Sequence, residues 1–177
     1  VVDLLSPNFG QLRMFNADGS EDFCGNGLRC AVHHAVTRLG AHPELQLEQL
    51  GQLVPCHYQS SGTMIELPAA RFDPGSVPLS TDNELWAEPV EVAGATYTLH
   101  SLSTGSTHTV IFREDAIGDA EFFQVSPLLE TNPLFPSRTS IMWTHSTAPD
   151  ELQIRIWERG VGETQGCGTG ATAAAIA

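Results

Sequence analysis

Two cysteines sit in matching glycine frames far apart in the chain. One lies in Phe23-Cys24-Gly25-Asn26-Gly27-Leu28-Arg29-Cys30, the other in Gly166-Cys167-Gly168-Thr169-Gly170-Ala171. In both, Cys-Gly-x-Gly runs into residues that favour a helix. A cysteine at a helix start feels the positive end of the helix dipole, which favours thiolate over thiol. The glycines let the backbone turn tightly and leave N–H groups open to a carboxylate. One frame is an anion pocket with a reactive sulfur. Two such frames on opposite sides of a carbon atom supply a base and an acid, the arrangement that inverts a stereocentre. Thiols are weak bases, so the carbanion would need hydrogen bonds and helix ends in a dry site.

The remaining chemistry is bounded by composition. The 177 residues carry a net charge of −13, with eight Arg and no Lys. A surface this acidic repels phosphate backbones, so nucleic acid is not an expected partner. Without lysine there is no Schiff-base amine for pyridoxal and no P-loop. No cofactor is expected. Cys24, Cys30, Cys56 and Cys167 include no Cys-x-x-Cys pair, and the spacing of Cys24 to Cys30 is poor for zinc, so no metal site is expected either. Cys30, within a helical pattern, and Cys56, in Leu53-Val54-Pro55-Cys56, read as buried, inert thiols. No charged-then-apolar leader opens the chain and no run is long and apolar enough for a membrane span. The expectation is a cytoplasmic protein.

The elements that must position the cysteines follow from period and turn chemistry. Val1–Leu5 and Gln11–Phe15 read as a hairpin, followed by a turn cluster over Asn16, Ala17, Asp18, Gly19 and Ser20. A helix is predicted from Gly25 to Leu39, with Leu28, Ala31, Val32, Ala35 and Val36 on one face and Gly40 at its end. Three strands follow, then a Pro-, Gly- and Asp-rich crossing over 68–84. The second part reads as strands around Gly94, a strand His108–Phe112, a helix over 120–135 broken by prolines, and strands over 140–145 and 152–160. A last helix begins at Gly168. Aligning Cys24 with Cys167 also matches Gly25 with Gly168, Gly27 with Gly170 and Gly19 with Gly162, an internal echo. The predicted division is 1–70 and 71–177.

The segments Met14-Phe15-Asn16-Ala17-Asp18-Gly19-Ser20-Glu21-Asp22-Phe23-Cys24-Gly25-Asn26-Gly27 and Glu158-Arg159-Gly160-Val161-Gly162-Glu163-Thr164-Gln165-Gly166-Cys167-Gly168-Thr169-Gly170 resemble the two signature segments of the diaminopimelate epimerase family. That family has proline racemase-like and phenazine-biosynthesis relatives. The resemblance implies an α+β fold of two pseudo-symmetric halves, each a curved mixed or antiparallel sheet wrapped round a central helix. It implies that Cys24 and Cys167 are the acid/base pair. Asn16, Gly25 and Asn26 would bind substrate from the first half, and Glu158, Arg159, Gly168 and Thr169 from the second. His108 would stand near a thiol, in Gly105-Ser106-Thr107-His108 where the family has Gly-Asn-Pro-His. Ser106 and Thr139 replace two family asparagines that hold the far end of diaminopimelate. The family's opening segment would lie upstream of Val1 and its last strands beyond Ala177. A homodimer is implied as well.

Three functions are therefore open. The first is a cofactor-independent epimerase converting LL- to meso-diaminopimelate for lysine and peptidoglycan synthesis. The second is a racemase or epimerase of the same superfamily acting on another amino acid, favoured by Ser106 and Thr139. The third, of another class, is a thiol redox sensor or metal-binding module.

Overall fold

Apolar and polar residues alternate from the first positions, and they form β1 (Val2–Ser6), paired antiparallel with β2 (Phe9–Leu12). The computed structural model describes residues 1–16, 19 and 21–177, which cluster as two units, Val1–Pro68 and Ala69–Ala177. The second strand was expected at Gln11–Phe15 and instead starts two residues earlier. The reason is Gly10: a Cβ there would lie 2.7 Å from the Asp3 carbonyl oxygen, so only glycine lets the strands approach this closely. The turn cluster that follows is only partly within the described residues. Gly19, at φ +85°, donates its N–H to Asn16 O at 3.0 Å, whereas Ala17, Asp18 and Ser20 lie outside them.

In the first unit α1 (Gly25–Arg38) crosses from β2 to β3 (Glu44–Gln49), making β2 and β3 parallel neighbours. β4 (Gln52–Gln59) and β5 (Gly62–Ile65) complete a sheet of order β1-β2-β3-β4-β5. Leu50 and Gly51 both take positive φ, the two-residue turn that suits strand twist between β3 and β4. Leu28, Ala31, Val32 and Ala35 of α1 pack against Leu12, Leu45, Leu47, Val54 and Cys56. Each fully buried Leu or Val here is worth about 1.5–3 kcal/mol. The helix ends where Gly40 turns to φ +76° and Ala41 N–H returns to Ala35 O. Cys56 is buried as expected, but Cys30 is exposed: it falls between the inward positions 28 and 31 and turns to the outer face of α1.

The second unit repeats the plan with a longer sheet, β11-β10-β9-β8-β7-β6. Its members are β6 (Trp86–Val92), β7 (Ala95–Ser103), β8 (Thr107–Arg113), β9 (Ser140–Ala148), β10 (Glu151–Glu158) and β11 (Gly162–Thr164). Its one parallel pair, β8 with β9, is joined through α2 (Asp119–Glu130), and α3 (Gly168–Ile176) follows β11. The period of two decides which helix each strand residue meets. Ile111, Ile141 and Trp143 face α2 with Phe122, Val125 and Leu129, while Val110, Met142 and Ile156 face α3 with Ala173 and Ala174. A helix over 120–135 broken by prolines was expected, and α2 ends at Glu130. Pro127 instead lies inside it, because its missing N–H costs one bond only a turn from the end, where Thr131 Oγ1 and N–H both close on Pro127 O.

Candidate active site

In the first unit, the chain leaves the β1–β2 hairpin and enters α1 through Cys24. Cys24 is the N-cap, in extended conformation at φ −134° and ψ 102°, and its Sγ accepts the Gly27 N–H at 3.2 Å. Sulfur thus replaces the Ser or Asp oxygen that usually caps a helix. Gly25 is buried in the first turn and Asn26 is exposed beside it. Gly27 is glycine for space: a Cβ would stand 3.3 Å from both Cys24 Sγ and Met14 Sδ. The backbone at Cys24 is held from behind by Gln49, only 1% exposed at the end of β3. Gln49 Oε1 accepts the Cys24 N–H at 3.3 Å and its Nε2 donates to Asp22 O at 3.2 Å, clamping the chain on both sides of Phe23. Asn16 opens the turn that precedes this loop.

The second unit builds the same local device. Cys167 is the N-cap of α3 at φ −132° and ψ 108°, and its Sγ accepts the Gly170 N–H at 3.4 Å. Thr169 Oγ1 lies 3.3 Å from the sulfur, and the Thr169 carbonyl is held by Thr104 Oγ1 at 3.1 Å. Burial pushes the Cys167 thiol up. Thr169 and the Gly170 N–H pull the other way, and the Glu158 carboxylate adds to the rise. Burial and the neighbouring carboxylate thus oppose the thiolate that the helix start favours.

Glu158 ends β10 on the α3 side of the sheet, where Thr164 Oγ1 donates to its Oε1 at 2.9 Å. Arg159 follows it. Its backbone N–H reaches Ser140 Oγ at 3.1 Å and its Nη1 reaches Ser137 O at 3.2 Å. The turn holding this pair is fixed by Glu130, a carboxylate 6% exposed that accepts from Trp157 Nε1 at 2.7 Å, Gly160 N–H at 2.8 Å and Arg138 Nη1 at 3.4 Å. His108 on β8 is fully enclosed. Burial, reinforced by the Arg159 charge, drives its pKa down to about 3, so the imidazole is neutral. Its Nε2 meets Ser106 Oγ at 3.1 Å, and its buried Nδ1 has no partner among the described residues.

Cys24, Gly25 and Asn26 thus share one helix start with Asn16 on the loop before it, and Cys167, Gly168, Thr169, Glu158 and Arg159 are grouped in the second unit. Thr139 does not join them. It lies on the α2 side of β9, 0% exposed, in a buried hydroxyl chain that runs from Ser101 through Thr109 to Thr139 at 2.9 and 3.0 Å. One residue along, the pleat turns Ser140 to the other face, and its hydroxyl is the one that meets Arg159. Sequence reading missed Gln49, Glu130, Thr104 and Ser140. Gln49 carried a signal, since it is polar at the third inward position of a strand whose other inward residues are Leu45 and Leu47. Glu130 carried one too, as the charged member of an otherwise inward-facing helical stripe. Among the described residues, no three His, Cys, Asp or Glu are placed to hold a metal ion, and no helix is long and apolar enough to cross a membrane.

Comparison with known proteins gives this geometry a context. The family model for diaminopimelate epimerase matches residues 100–177. The diaminopimelate epimerase of Moorella thermoacetica is 38% identical over 175 residues, covering 94% of this chain and 62% of that protein. That of Pelotomaculum thermopropionicum is 37% identical with the same coverage, and that of Pseudomonas savastanoi pv. phaseolicola is 37% identical over 93% of this chain and 60% of its own. The chain thus spans about three-fifths of the length of these relatives. Among solved structures, a phenazine biosynthesis PhzF-family protein of Enterococcus faecalis superposes with a TM-score of 0.55 at 12% identity, over 99% of this chain and 62% of that one. A PhzF-family protein of Bacillus anthracis gives 0.50 at 18% identity, over 92% and 58%. These two show the shared α+β fold.

Proposed function

We propose that this chain is a member of the diaminopimelate epimerase family and supplies the two-cysteine centre of a cofactor-independent epimerase. The reaction inverts the α-carbon of diaminopimelate, LL to meso, in lysine and peptidoglycan synthesis. The carrying observation is the duplication of one device: two N-cap cysteines with backbone angles within a few degrees, each sulfur accepting the N–H three residues on.

The mechanism needs the two sulfurs on opposite faces of one bound molecule. One thiolate takes the α-hydrogen as a proton, the carbon keeps the electron pair, and the opposing thiol delivers a proton to the other face. Nothing is oxidised, and the sulfurs end with their protonation exchanged. Which sulfur is the base follows from the hand of the bound substrate, since each serves one side of the α-carbon. Gly25, Asn26, Gly168 and Thr169 present first-turn N–H groups to the α-carboxylate, where developing charge is stabilised by helix ends. Glu158 meets the α-ammonium. Asn16 and Arg159 orient the substrate, and neutral His108 contributes a fixed, uncharged wall. A homodimer in the cytoplasm completes the reading. A second substrate reading, another amino acid in place of diaminopimelate, is favoured by one observation. Thr139 is turned away and the Ser106 hydroxyl is engaged by His108, so neither reaches out as an amide would.

The test is solvent-hydrogen exchange. In deuterated water the protein should label the α-carbon of diaminopimelate, and Cys24→Ala and Cys167→Ala should each abolish inversion. Labelling of other amino acids in preference to diaminopimelate selects the second reading. Absence of α-exchange on any amino acid, together with reversible disulfide formation, overturns the epimerase in favour of a redox sensor.

A further inference from the structure

Glu130 stands where a helix disfavours a carboxylate. It is the last residue of α2, at the negative end of the helix dipole, and no basic residue shares that turn. It is also only 6% exposed, so its charge is largely desolvated. The core does not call for it: Phe122, Val125 and Leu129 form the inward stripe of α2, and buried ionic groups are often replaceable by apolar packing without loss of stability. What sets Glu130 apart is its donors. Oε2 accepts the Trp157 indole N–H at 2.7 Å, and Oε1 accepts the Gly160 N–H at 2.8 Å and Arg138 Nη1 at 3.4 Å.

Two of these donors bracket Glu158 and Arg159. Successive residues of β10 point to opposite faces of the sheet, so Trp157 packs on the α2 side while Glu158 turns to the α3 side. The turn that follows is closed by the Val161 N–H on Glu158 O at 3.0 Å and has Gly160 at φ +73°. Arg138 holds φ +59°, a strained conformation for a residue with a Cβ, and its guanidinium lies over Gly160, where a Cβ would be 3.5 Å from Nη2. One carboxylate on the α2 side thus grips both ends of a two-residue segment whose charges act on the other side. There the Glu158 carboxylate adds to the rise at the Cys167 thiol, and the Arg159 charge helps to keep His108 neutral. Both effects fall with distance, so both depend on where the turn stands.

We propose that Glu130 is a positioning residue that acts through the sheet: from the α2 side it fixes the β10–β11 turn and so sets how close the Glu158 carboxylate stands to the Cys167 sulfur. Its effect on turnover rests on the epimerase reading, whereas its effect on the sulfur does not.

The test is the pH profile of Cys167 alkylation by iodoacetamide, read on the Cys167 peptide by mass spectrometry to separate it from the other three cysteines. Glu130→Gln keeps the side chain's size but sets an amide N–H against one of its donors. The turn relaxes, Glu158 moves off, and the alkylation rate at pH 8 should rise about threefold. Trp157→Phe removes one donor and leaves the carboxylate in place, so it is the milder probe and should act in the same direction. In a Glu158→Gln background both substitutions should leave the rate unchanged, because the charge they displace is gone. Ser126→Ala controls for lost stability. Ser126 is buried on α2 and accepts the Trp143 indole N–H at 2.9 Å, a bond to β9 rather than to the turn, so Cys167 should keep the parent profile. With diaminopimelate as substrate, Glu130→Gln should raise KM about fivefold or more, since Glu158 meets the α-ammonium. No rise in alkylation with Glu130→Gln or Trp157→Phe, a rise of equal size in the Glu158→Gln background, or an equal rise with Ser126→Ala would each overturn the proposal. Coupled alkylation without α-exchange in any variant overturns the epimerase reading and leaves the positioning role standing. α-Exchange with uncoupled alkylation does the reverse.

Discussion

The two cysteine frames look alike in sequence, yet Gly170→Ala and Gly27→Ala should differ sharply. At Gly170 a Cβ would lie 2.5 Å from Met142 Sδ, 2.7 Å from Met142 Cε and 3.3 Å from Cys167 Sγ. Met142 is fully buried among Leu102, Val110, Ile156, Ala173 and Ala174, so its thioether can move only by repacking the α3 side of the sheet. Overpacking of this kind costs about 1–3 kcal/mol, and alanine's better helix propensity returns about 0.5–1 kcal/mol at most. The net expectation is a loss of about 1–2 kcal/mol. At Gly27 both neighbouring sulfurs stand at 3.3 Å and Met14 is only half-buried, so strain and propensity nearly cancel. Urea unfolding of the two variants measures the difference through the midpoint at constant slope. Met142→Ala removes the obstacle, so the double variant with Gly170→Ala should show a favourable coupling of about 1 kcal/mol or more. A Gly170→Ala protein as stable as the parent, or zero coupling with Met142, would refute the view that packing against the thioether, rather than backbone freedom, dictates this glycine.

Other expectations follow from single contacts. Replacing Glu158 with Gln removes a group that raises the Cys167 pKa, so iodoacetamide should modify Cys167 faster at pH 8 than in the parent, whereas Thr169→Val should slow it. Cys56 is driven up to about 11, chiefly by burial. A raised folded-state pKa leaves its stabilisation whole below the unfolded value near 9 and removes it as pH climbs toward 11, so Cys56→Val should flatten the alkaline arm of a stability–pH curve in that window. His57 is also raised, through Glu66 and then Glu44, and its contribution is present below about pH 6.5 and lost as pH rises through the folded value. His57→Gln should therefore erase a stability gain seen on the acid side of neutrality. Gln49→Leu leaves the Cys24 N–H and Asp22 O without their amide partner. It should lower kcat about tenfold or more while Cys167 alkylation stays unchanged.

How much of this was legible in the chain depends on the range of the interaction. Turn and cap signals act within a few residues, so Gly40 and the two Cys-Gly-x-Gly helix starts could be read directly. The β2 strand was misplaced because its position is dictated by a backbone contact between Gly10 and Asp3, which no alternation of side chains reveals. The helical period likewise carried Leu28, Ala31, Val32 and Ala35 to the correct face, but treated Cys30 as buried because cysteine commonly is.

The residues that hold the site were harder still, because their meaning comes from the sheet. Thr139 and Ser140 are adjacent small hydroxyl residues, and nothing local says which one reaches Arg159. The pleat decides it: Thr139, just before β9, turns to the α2 side and bonds the Thr109 hydroxyl, and Ser140 then faces the α3 layer and the Arg159 backbone. Glu130 is a stronger case. On α2 it reads as an ordinary charged helix residue, yet its two oxygens collect the Trp157 indole N–H and the Gly160 N–H from either side of Glu158 and Arg159, and the Arg138 guanidinium from the segment before β9. Loss of such a buried carboxylate leaves the Trp157 indole N–H and the Gly160 N–H without their acceptor, at about 1–3 kcal/mol each. The two N-cap cysteines could be found from sequence because their local frame is copied. The groups that aim Glu158 and Arg159 could not, because each is a single polar residue whose partners arrive from strands folded up to thirty residues away.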